Sequence, residues 1–412
     1  MRAPQDQPAQ FGLREAEFVG MMAAMQALQA LAIDVMLPAL GAMSRDLALS
    51  DPNDRQLVVG IFLVFSGLGS LIPGAVSDRF GRKPVILTCL AAYVTLSLGC
   101  AFVNDFNALL VMRALCGVFT SGLLVLPMAV IRDRFEGDRM ARTQSLVAMV
   151  FMVVPMVAPL LGQSVMLVAG WRAIFVVMGL LAGIVSCWVW MRLPETLNEE
   201  FRQPVQPRVI GRNMVGALLC RESFGYVFGL AFIQGALLGY INSSQQLIGE
   251  HFSAGLLFPV IFGAMALGMA GTNFVNSRIV ERFGARRVSH TATFIYIAIA
   301  AVHIPVARSG GGLWAFIPLM TMSLCMMSFI SANYQSIALQ PFARTAGAAA
   351  SVMSFVRVLL GSIIGILIGQ AYDGTAMPLL ISILISGGLA MLLVLYSERG
   401  RLFRRLNPPG IS

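Results

Sequence analysis

Three ionisable side chains stand where water should be scarce. Asp34 lies in Ala30-Leu-Ala-Ile-Asp34-Val-Met-Leu37-Pro38, Arg113 in Arg113-Ala-Leu-Cys116-Gly117-Val-Phe-Thr120-Ser121, and Arg357 in Ser354-Phe-Val-Arg357-Val-Leu-Leu-Gly361. A carboxylate held in an apolar interior is costly and marks a functional candidate; the chemistry it offers is taking up and giving back a proton. Ala23, Ala27, Ala30 and Gly41 share the Asp34 face of a 3.6-residue helix, which leaves room for close packing or a cavity. The alternative is a structural acid at a helix stop, which Leu37-Pro38 allows. Arginine keeps its charge, so Arg113 must face an acid, backbone carbonyls or water. Gly117, Thr120 and Ser121 share its face, as on a helix lining a cavity. An Asp34–Arg113 pair would favour the charged acid, whereas burial would favour the neutral one. A site in which the two nearly balance can load and release a proton. For both arginines the alternative is snorkelling to an interface.

Milder polar residues in the second half of the chain suit ligand contact. Gln234, Asn242 and Gln245 fall in one apolar run, with Gln234 and Gln245 on one helical face; Asn273 and Tyr334 fall in two others. Neutral amides among Phe and Met suit an uncharged or amphipathic small molecule. Arg357 could meet an anionic one. Together with Asp34 and Arg113 these residues outline a cavity walled by the first, fourth, seventh, tenth and eleventh apolar runs. A third constellation is Gly74-Ala-Val-Ser-Asp78-Arg79-Phe-Gly81-Arg82-Lys83-Pro84, a charged hairpin between two apolar runs. Finally, Val153-Val-Pro155-Met-Val-Ala158-Pro159-Leu-Leu-Gly162-Gln163 carries two prolines and a glycine inside one run, which predicts a kinked, closely packed helix.

The elements that must position these residues are membrane spans. Hydrophobic residues make up 57% of the 412 residues and charged ones 12%, against about 25% charged in a soluble domain. Apolar runs of span length fall near 17–41, 56–76, 85–103, 108–131, 143–169 and 171–191, then near 224–247, 255–277, 289–307, 313–339, 346–371 and 377–396. The expected organisation is a six-helix half over 1–191, a polar linker over 192–222, and a second half with a tail over 223–412. The polar start, Met1–Arg14, lacks a signal-peptide pattern, so the first run is expected to remain a span. Of 29 Lys and Arg, 23 fall on one side of this layout, four on the other and two within spans. That asymmetry predicts both termini in the cytoplasm. The net charge of +9 is accounted for by topology and does not indicate nucleic acid. Six cysteines without paired spacing read as small hydrophobes, and no metal-ligand or nucleotide-loop spacing appears, so neither metal nor cofactor is expected.

Asp78-Arg79-Phe80-Gly81-Arg82-Lys83 is echoed 203 residues later by Glu281-Arg282-Phe283-Gly284-Ala285-Arg286. The echo falls in the matching loop of the second half, which predicts two halves related by a repeat with a site between them.

The charged hairpin resembles motif A of the major facilitator superfamily, Gly-x-x-x-Asp-Arg-x-Gly-Arg-Lys. The Arg113 stretch resembles motif B of its proton-coupled members, with Cys116 in place of Gln. The Pro155–Gly162 stretch resembles the antiporter motif in part. Asp34-Val-Met-Leu-Pro38, Val130-Ile-Arg132-Asp133, Gly170-Trp171-Arg172, Leu193-Pro194-Glu195 and Tyr372-Asp373-Gly374 are similar to the Bcr/CflA branch of drug:proton antiporters. The resemblance implies an all-α membrane protein of twelve helices in two six-helix halves, in a bacterial inner membrane. It implies the export of small compounds in exchange for inward protons; the chain is further expected to be a monomer and not an enzyme. Asp34 and Arg113 would serve proton coupling. Gly74, Asp78, Arg79, Gly81, Arg82 and Arg132 would form the cytoplasmic gate, in which Asp78 meets Arg132 and the eleventh span. A facilitator or exporter for one metabolite, or a non-transporting receptor on the same scaffold, are the alternative readings.

Overall fold

A computed structural model of the chain describes residues 13–135, 137–197, 216, 220–342 and 346–403, so most of the expected linker lies outside the described residues. Among the described residues ten helices are long and apolar enough to cross a membrane, and a bent pair, Pro52–Gly69 with Ile72–Phe80, adds an eleventh. One of the ten, Arg142–Arg192, has 51 residues. At about 1.5 Å per residue it is more than twice as long as a ~30 Å hydrocarbon core. It breaks at Gly170, whose φ of 78° ends one crossing and starts the next. Counted this way, twelve candidate spans lie among the described residues, consistent with the expected number. They are span 1 (Glu15–Asp46), span 2 (the bent pair), span 3 (Arg82–Phe102), span 4 (Phe106–Arg134), spans 5 and 6 (Arg142–Arg192, either side of Gly170), span 7 (Arg221–His251), span 8 (Gly255–Val280), span 9 (Ala285–Arg308), span 10 (Leu313–Phe342), span 11 (Val352–Gln370) and span 12 (Met377–Ser397). With an even number of spans the first and last described residues, Leu13 and Phe403, lie at the same end of the bundle, here called the terminal face.

The repeat is visible in the geometry. Gly81 (φ 99°) and Gly284 (φ 84°) each join two helices in a backbone conformation that a side chain resists. Glu195 accepts hydrogen bonds from the backbone N–H groups of Arg82 (2.8 Å) and Lys83 (3.1 Å) at the start of span 3. Its counterpart 203 residues on, Glu398, accepts from Arg286 Nε (2.7 Å) at the start of span 9. Gly162 packs on the Val35 carbonyl, and Gly365 packs on Leu238, its equivalent pair.

The halves meet along two helix crossings. Gly60 and Gly67 of span 2 lie against Ile366 and Leu359 of span 11, and Gly263 of span 8 lies against Met156 of span 5. Small residues permit this approach where lipid offers no hydrophobic drive between helices. A Cβ at Gly162 would collide with the Val35 carbonyl, whereas one at Gly183 would meet open space. Gly162→Ala is therefore expected to cost about 1–3 kcal/mol through overpacking, read as a lower melting temperature in detergent, with Gly183→Ala melting like the parent.

Candidate functional site

Span 1 is not one straight helix. Its α-helical part, Glu15–Asp34, ends at the acid itself; a 3₁₀ turn, Leu37–Ala39, follows, and helix resumes over Leu40–Asp46. Pro38 has no N–H to give to the Asp34 carbonyl, so the regular ladder cannot continue. Asp34 thus lies at a break about twelve residues from the far end of the span, ~18 Å by helix rise. That position is well inside the 32-residue span and away from either of its ends.

Arg113 serves this break. Its guanidinium, 1% exposed, donates to the carbonyl of Ala32 (2.9 Å) and to that of Val58 in span 2 (3.0 Å), and lies 4.3 Å from the Phe62 ring centroid. Ala32 is in the last turn of the helix, where carbonyls lack intrahelical donors. The expected Asp34–Arg113 pair is not formed: Arg113 holds the backbone on either side, and no hydrogen bond or ion pair engages the Asp34 carboxylate among the described residues.

Asp34 opens instead on a cavity of about 220 Å³ between the halves, lined by Pro155 of span 5, Tyr240 of span 7, Phe262 and Asn273 of span 8, and Leu324 of span 10. Leu237, the repeat equivalent of Asp34, lines the opposite wall. Span 5 joins the wall, span 8 contributes the expected Asn273 together with Phe262, and spans 4 and 11 contribute no lining residue. The polar face of span 4 is turned into its own half: Gly117 packs under Phe62, and Thr120 returns its hydroxyl to the Cys116 carbonyl (2.8 Å). Larger apolar clefts of about 430 and 410 Å³ lie around Phe283 and Phe80, on the flanks of the two halves and away from these groups.

The remaining candidates are scattered. Asn273 is the one neutral amide of the predicted set that faces the Asp34 cavity. Gln234 packs on Gly361 of span 11. Tyr334 is buried inside the second half, its hydroxyl 2.9 Å from Thr293 Oγ1 and its ring against Tyr226. Asn242 and Gln245 lie near the far face. Arg357 is half-buried in span 11 with no acid against it among the described residues. In span 5, Pro159 is buried beside Ala158.

In the hairpin, Arg82 is the centre. It is 2% exposed and pairs with Asp78 (2.7 Å) and Asp133 (2.8 Å), and it donates to Ser77 Oγ (2.6 Å). Arg132 is exposed and makes no such contact; its neighbour Asp133 does. Arg79 is exposed with its guanidinium over Phe80, and a Cβ at Gly74 would meet nothing.

Sequence reasoning missed the residues that tie the halves together. At the far face Arg55 of span 2 grips Glu250 of span 7 through two hydrogen bonds (2.6 and 2.8 Å). Gln56 donates to Gln246, Gln246 donates to Asn53 (3.0 Å), and Asn53 donates to the carbonyls of Gln370 (3.2 Å) and Tyr372 (2.8 Å). At the terminal face, every side-chain hydrogen bond and ion pair seen among the described residues joins groups of the same half, as in Glu17–Arg192 and Arg286–Glu398. Among the described residues the polar contacts that join the two halves lie at the far face, and none is seen at the terminal face. In sequence Arg55 is an ordinary loop cation and Glu250 a helix-end acid; their pairing requires the halves to be brought together.

A family model described as Major Facilitator Superfamily matches residues 22–366. The chain belongs to this superfamily. It is 29% identical over 349 residues to a bicyclomycin resistance protein homolog from Haemophilus influenzae, covering 84% of this chain and 87% of that protein. It is also 29% identical over 364 residues to a chloramphenicol resistance protein from Pseudomonas aeruginosa, covering 86% and 84%. Among solved structures it is similar to a bacterial homolog of the human lysosomal transporter Spinster in an inward-facing, unoccupied conformation, with a TM-score of 0.71, 14% identity, and 96% of each chain covered. A D-xylose–proton symporter gives the same TM-score at 12% identity, covering 92% of this chain and 97% of that one. The molecule is a transporter and not an enzyme.

Arg55 is 5% and Glu250 47% exposed, so the pair is worth about 1–2 kcal/mol, between the surface and buried limits. Glu250→Gln is expected to shift the balance of states toward an open far face by about tenfold, seen as longer spin-label distances across the far ends of spans 2 and 7. Arg55→Glu combined with Glu250→Arg should restore the parent distances.

Proposed function

We propose that this transporter expels small uncharged or amphipathic compounds in exchange for protons, by alternating access. The observation that carries this reading is Asp34: a carboxylate in an apolar cavity between the halves, deep in the membrane, with no ion pair among the described residues to offset its charge. Closing apolar walls around such a group is costly unless it holds a proton or meets a ligand. A proton bound from one side and released to the other therefore couples to which face is open. Arg113 keeps the break in span 1 in place and so keeps Asp34 aimed at the cavity.

The apolar wall of Tyr240, Phe262, Met265 and Leu324 suits an uncharged body. Resistance proteins for bicyclomycin and chloramphenicol among the relatives support compounds of this kind. The distribution of Arg and Lys supports a terminal face in the cytoplasm of a bacterial inner membrane, which makes the present conformation inward-facing. The protein acts as a monomer in this reading, with each chain holding a whole site. Arg357 favours one variant, the export of an organic anion: a half-buried cation in a span, without an acid partner among the described residues, is stable beside a ligand carboxylate.

The test uses inside-out vesicles carrying the purified protein, a pH dye and an imposed proton gradient. Chloramphenicol or bicyclomycin should collapse part of the gradient. Asp34→Asn is expected to abolish that proton movement while leaving counterflow of the compound down its own gradient. Proton movement undiminished in Asp34→Asn would overturn the coupling role. For the anion variant, Arg357→Gln should lower transport of carboxylate-bearing compounds and leave neutral ones unchanged.

A further inference from the structure

A second cavity lies outward of Asp34. It measures about 230 Å³ and is lined by Pro38, Gly41, Arg45, Gln163, Gln245 and Glu250, among others. It stands one helical turn from the central cavity on three spans at once. Asp34 is followed four residues later by Pro38, and Ile241 by Gln245; on span 8, which runs the opposite way, Phe262 is preceded by Phe258. The Phe258 and Phe262 rings, with centroids 5.6 Å apart, form the partition between the two spaces.

The two spaces differ in chemistry. Apart from Asp34 and Asn273, the central one offers no free polar side chain, since the Tyr240 hydroxyl is turned to Met265 Sδ (2.9 Å). The outer one offers two amides, a guanidinium and a carboxylate. The charge of Glu250 is already met by Arg55. Gln245 lines this space, and its Oε1 is buried and accepts no hydrogen bond among the described residues, so a turn of this amide toward the space would let a bound donor satisfy an acceptor that the protein leaves unsatisfied. Volume points the same way. Neither space alone reaches the ~300 Å³ at which ligand pockets commonly begin, and the two together do.

We propose that this outer vestibule is a second binding station on the export path. It takes the hydroxyl- or amide-bearing part of an uncharged amphipathic compound whose apolar body has left the central cavity past Phe258 and Phe262. Gln245 accepts from the compound, and Gln163 and Arg45 donate to it. Because Glu250 forms both a wall of the vestibule and the seal with Arg55, the station lies against the outer gate. The proposal rests on the export reading above.

The test is labelling of Ala42→Cys, at the vestibule wall, by a membrane-impermeant maleimide added outside right-side-out vesicles. The unsubstituted chain with its six cysteines supplies the background. Chloramphenicol is the probe. It should slow labelling by about tenfold when present at about ten times its Kd, by mass action. The slowing should persist when Ala266→Trp fills the central cavity and be lost with Gln245→Leu. Gln163→Leu replaces Gln245→Leu should the latter not melt like the parent. No slowing, slowing lost with Ala266→Trp, or slowing kept with both Gln substitutions would each overturn the proposal. The proton assay with Asp34→Asn stands apart from this one. Intact Asp34-dependent antiport without vestibule protection would sink the second station alone.

Discussion

Hydrocarbon offers a backbone no hydrogen bonds, so a helix can break inside a membrane only where the protein itself satisfies the freed groups. The break in span 1 is the point on which the site depends. Without it Asp34 would be one more residue on a regular helix. With it, Ala32 presents a carbonyl that needs a donor, and Arg113 supplies one while holding Val58 of span 2. Arginine suits this work because its charge is permanent and its planar fork reaches two acceptors at once. The Val35 carbonyl, on the other side of the acid, is pressed on Gly162 of span 5. The acid is thus framed by three neighbouring spans while its own carboxylate is left free. An ion pair with Arg113 would have neutralised the group that the cavity displays.

The repeat builds a symmetric frame and then departs from it where chemistry is needed. Gly81 and Gly284, Glu195 and Glu398, Gly162 and Gly365 are interchangeable parts of two similar halves. Asp34 and Leu237 occupy equivalent positions on opposite walls of one cavity, and only one of them can hold a proton. Asp34 is the one carboxylate lining this cavity among the described residues. The apolar second wall leaves the ligand to be held by shape and burial.

Much of this was legible in the sequence, for a physical reason. Span length, the hairpin charges and the 203-residue echo are local patterns, and the bilayer enforces them strongly. Asp34 also stood out, because an acid in an apolar run is too costly to keep without a use. What could not be read was pairing. Arg113 and Asp34 looked like partners because they were the two charges in the first half's spans, yet the backbone carbonyls of Ala32, in the last helical turn before the break, and of Val58 in span 2 are equally good partners and leave no mark in composition. Tyr334 looked like a cavity residue and is buried against Thr293 within its own half. Asp133 and not Arg132 completes the Arg82 cluster, a difference of one residue that turns a helix face by more than a quarter-turn. Arg55 and Glu250, 195 residues apart, carry no signal until the halves are docked.

The polar contacts at the two faces do different work, and the difference defines the motion. At the terminal face the ion pairs of Arg82 and Arg286 fasten spans within a half, so they survive a rocking of one half on the other. At the far face Arg55, Gln56, Asn53, Glu250 and Gln246 fasten one half to the other, so rocking must break them. The crossings at Gly60, which receives the Ile366 side chain, and at Gly263, which lies against the Met156 backbone, lie between, where glycine lets the helices come close. A molecule built this way can exchange its open face only by giving up the far seal, and that seal is a handful of hydrogen bonds around one partly exposed ion pair. Its modest strength is a requirement. Alternating access needs two states within a few kcal/mol of each other, so that one proton or one ligand can decide between them.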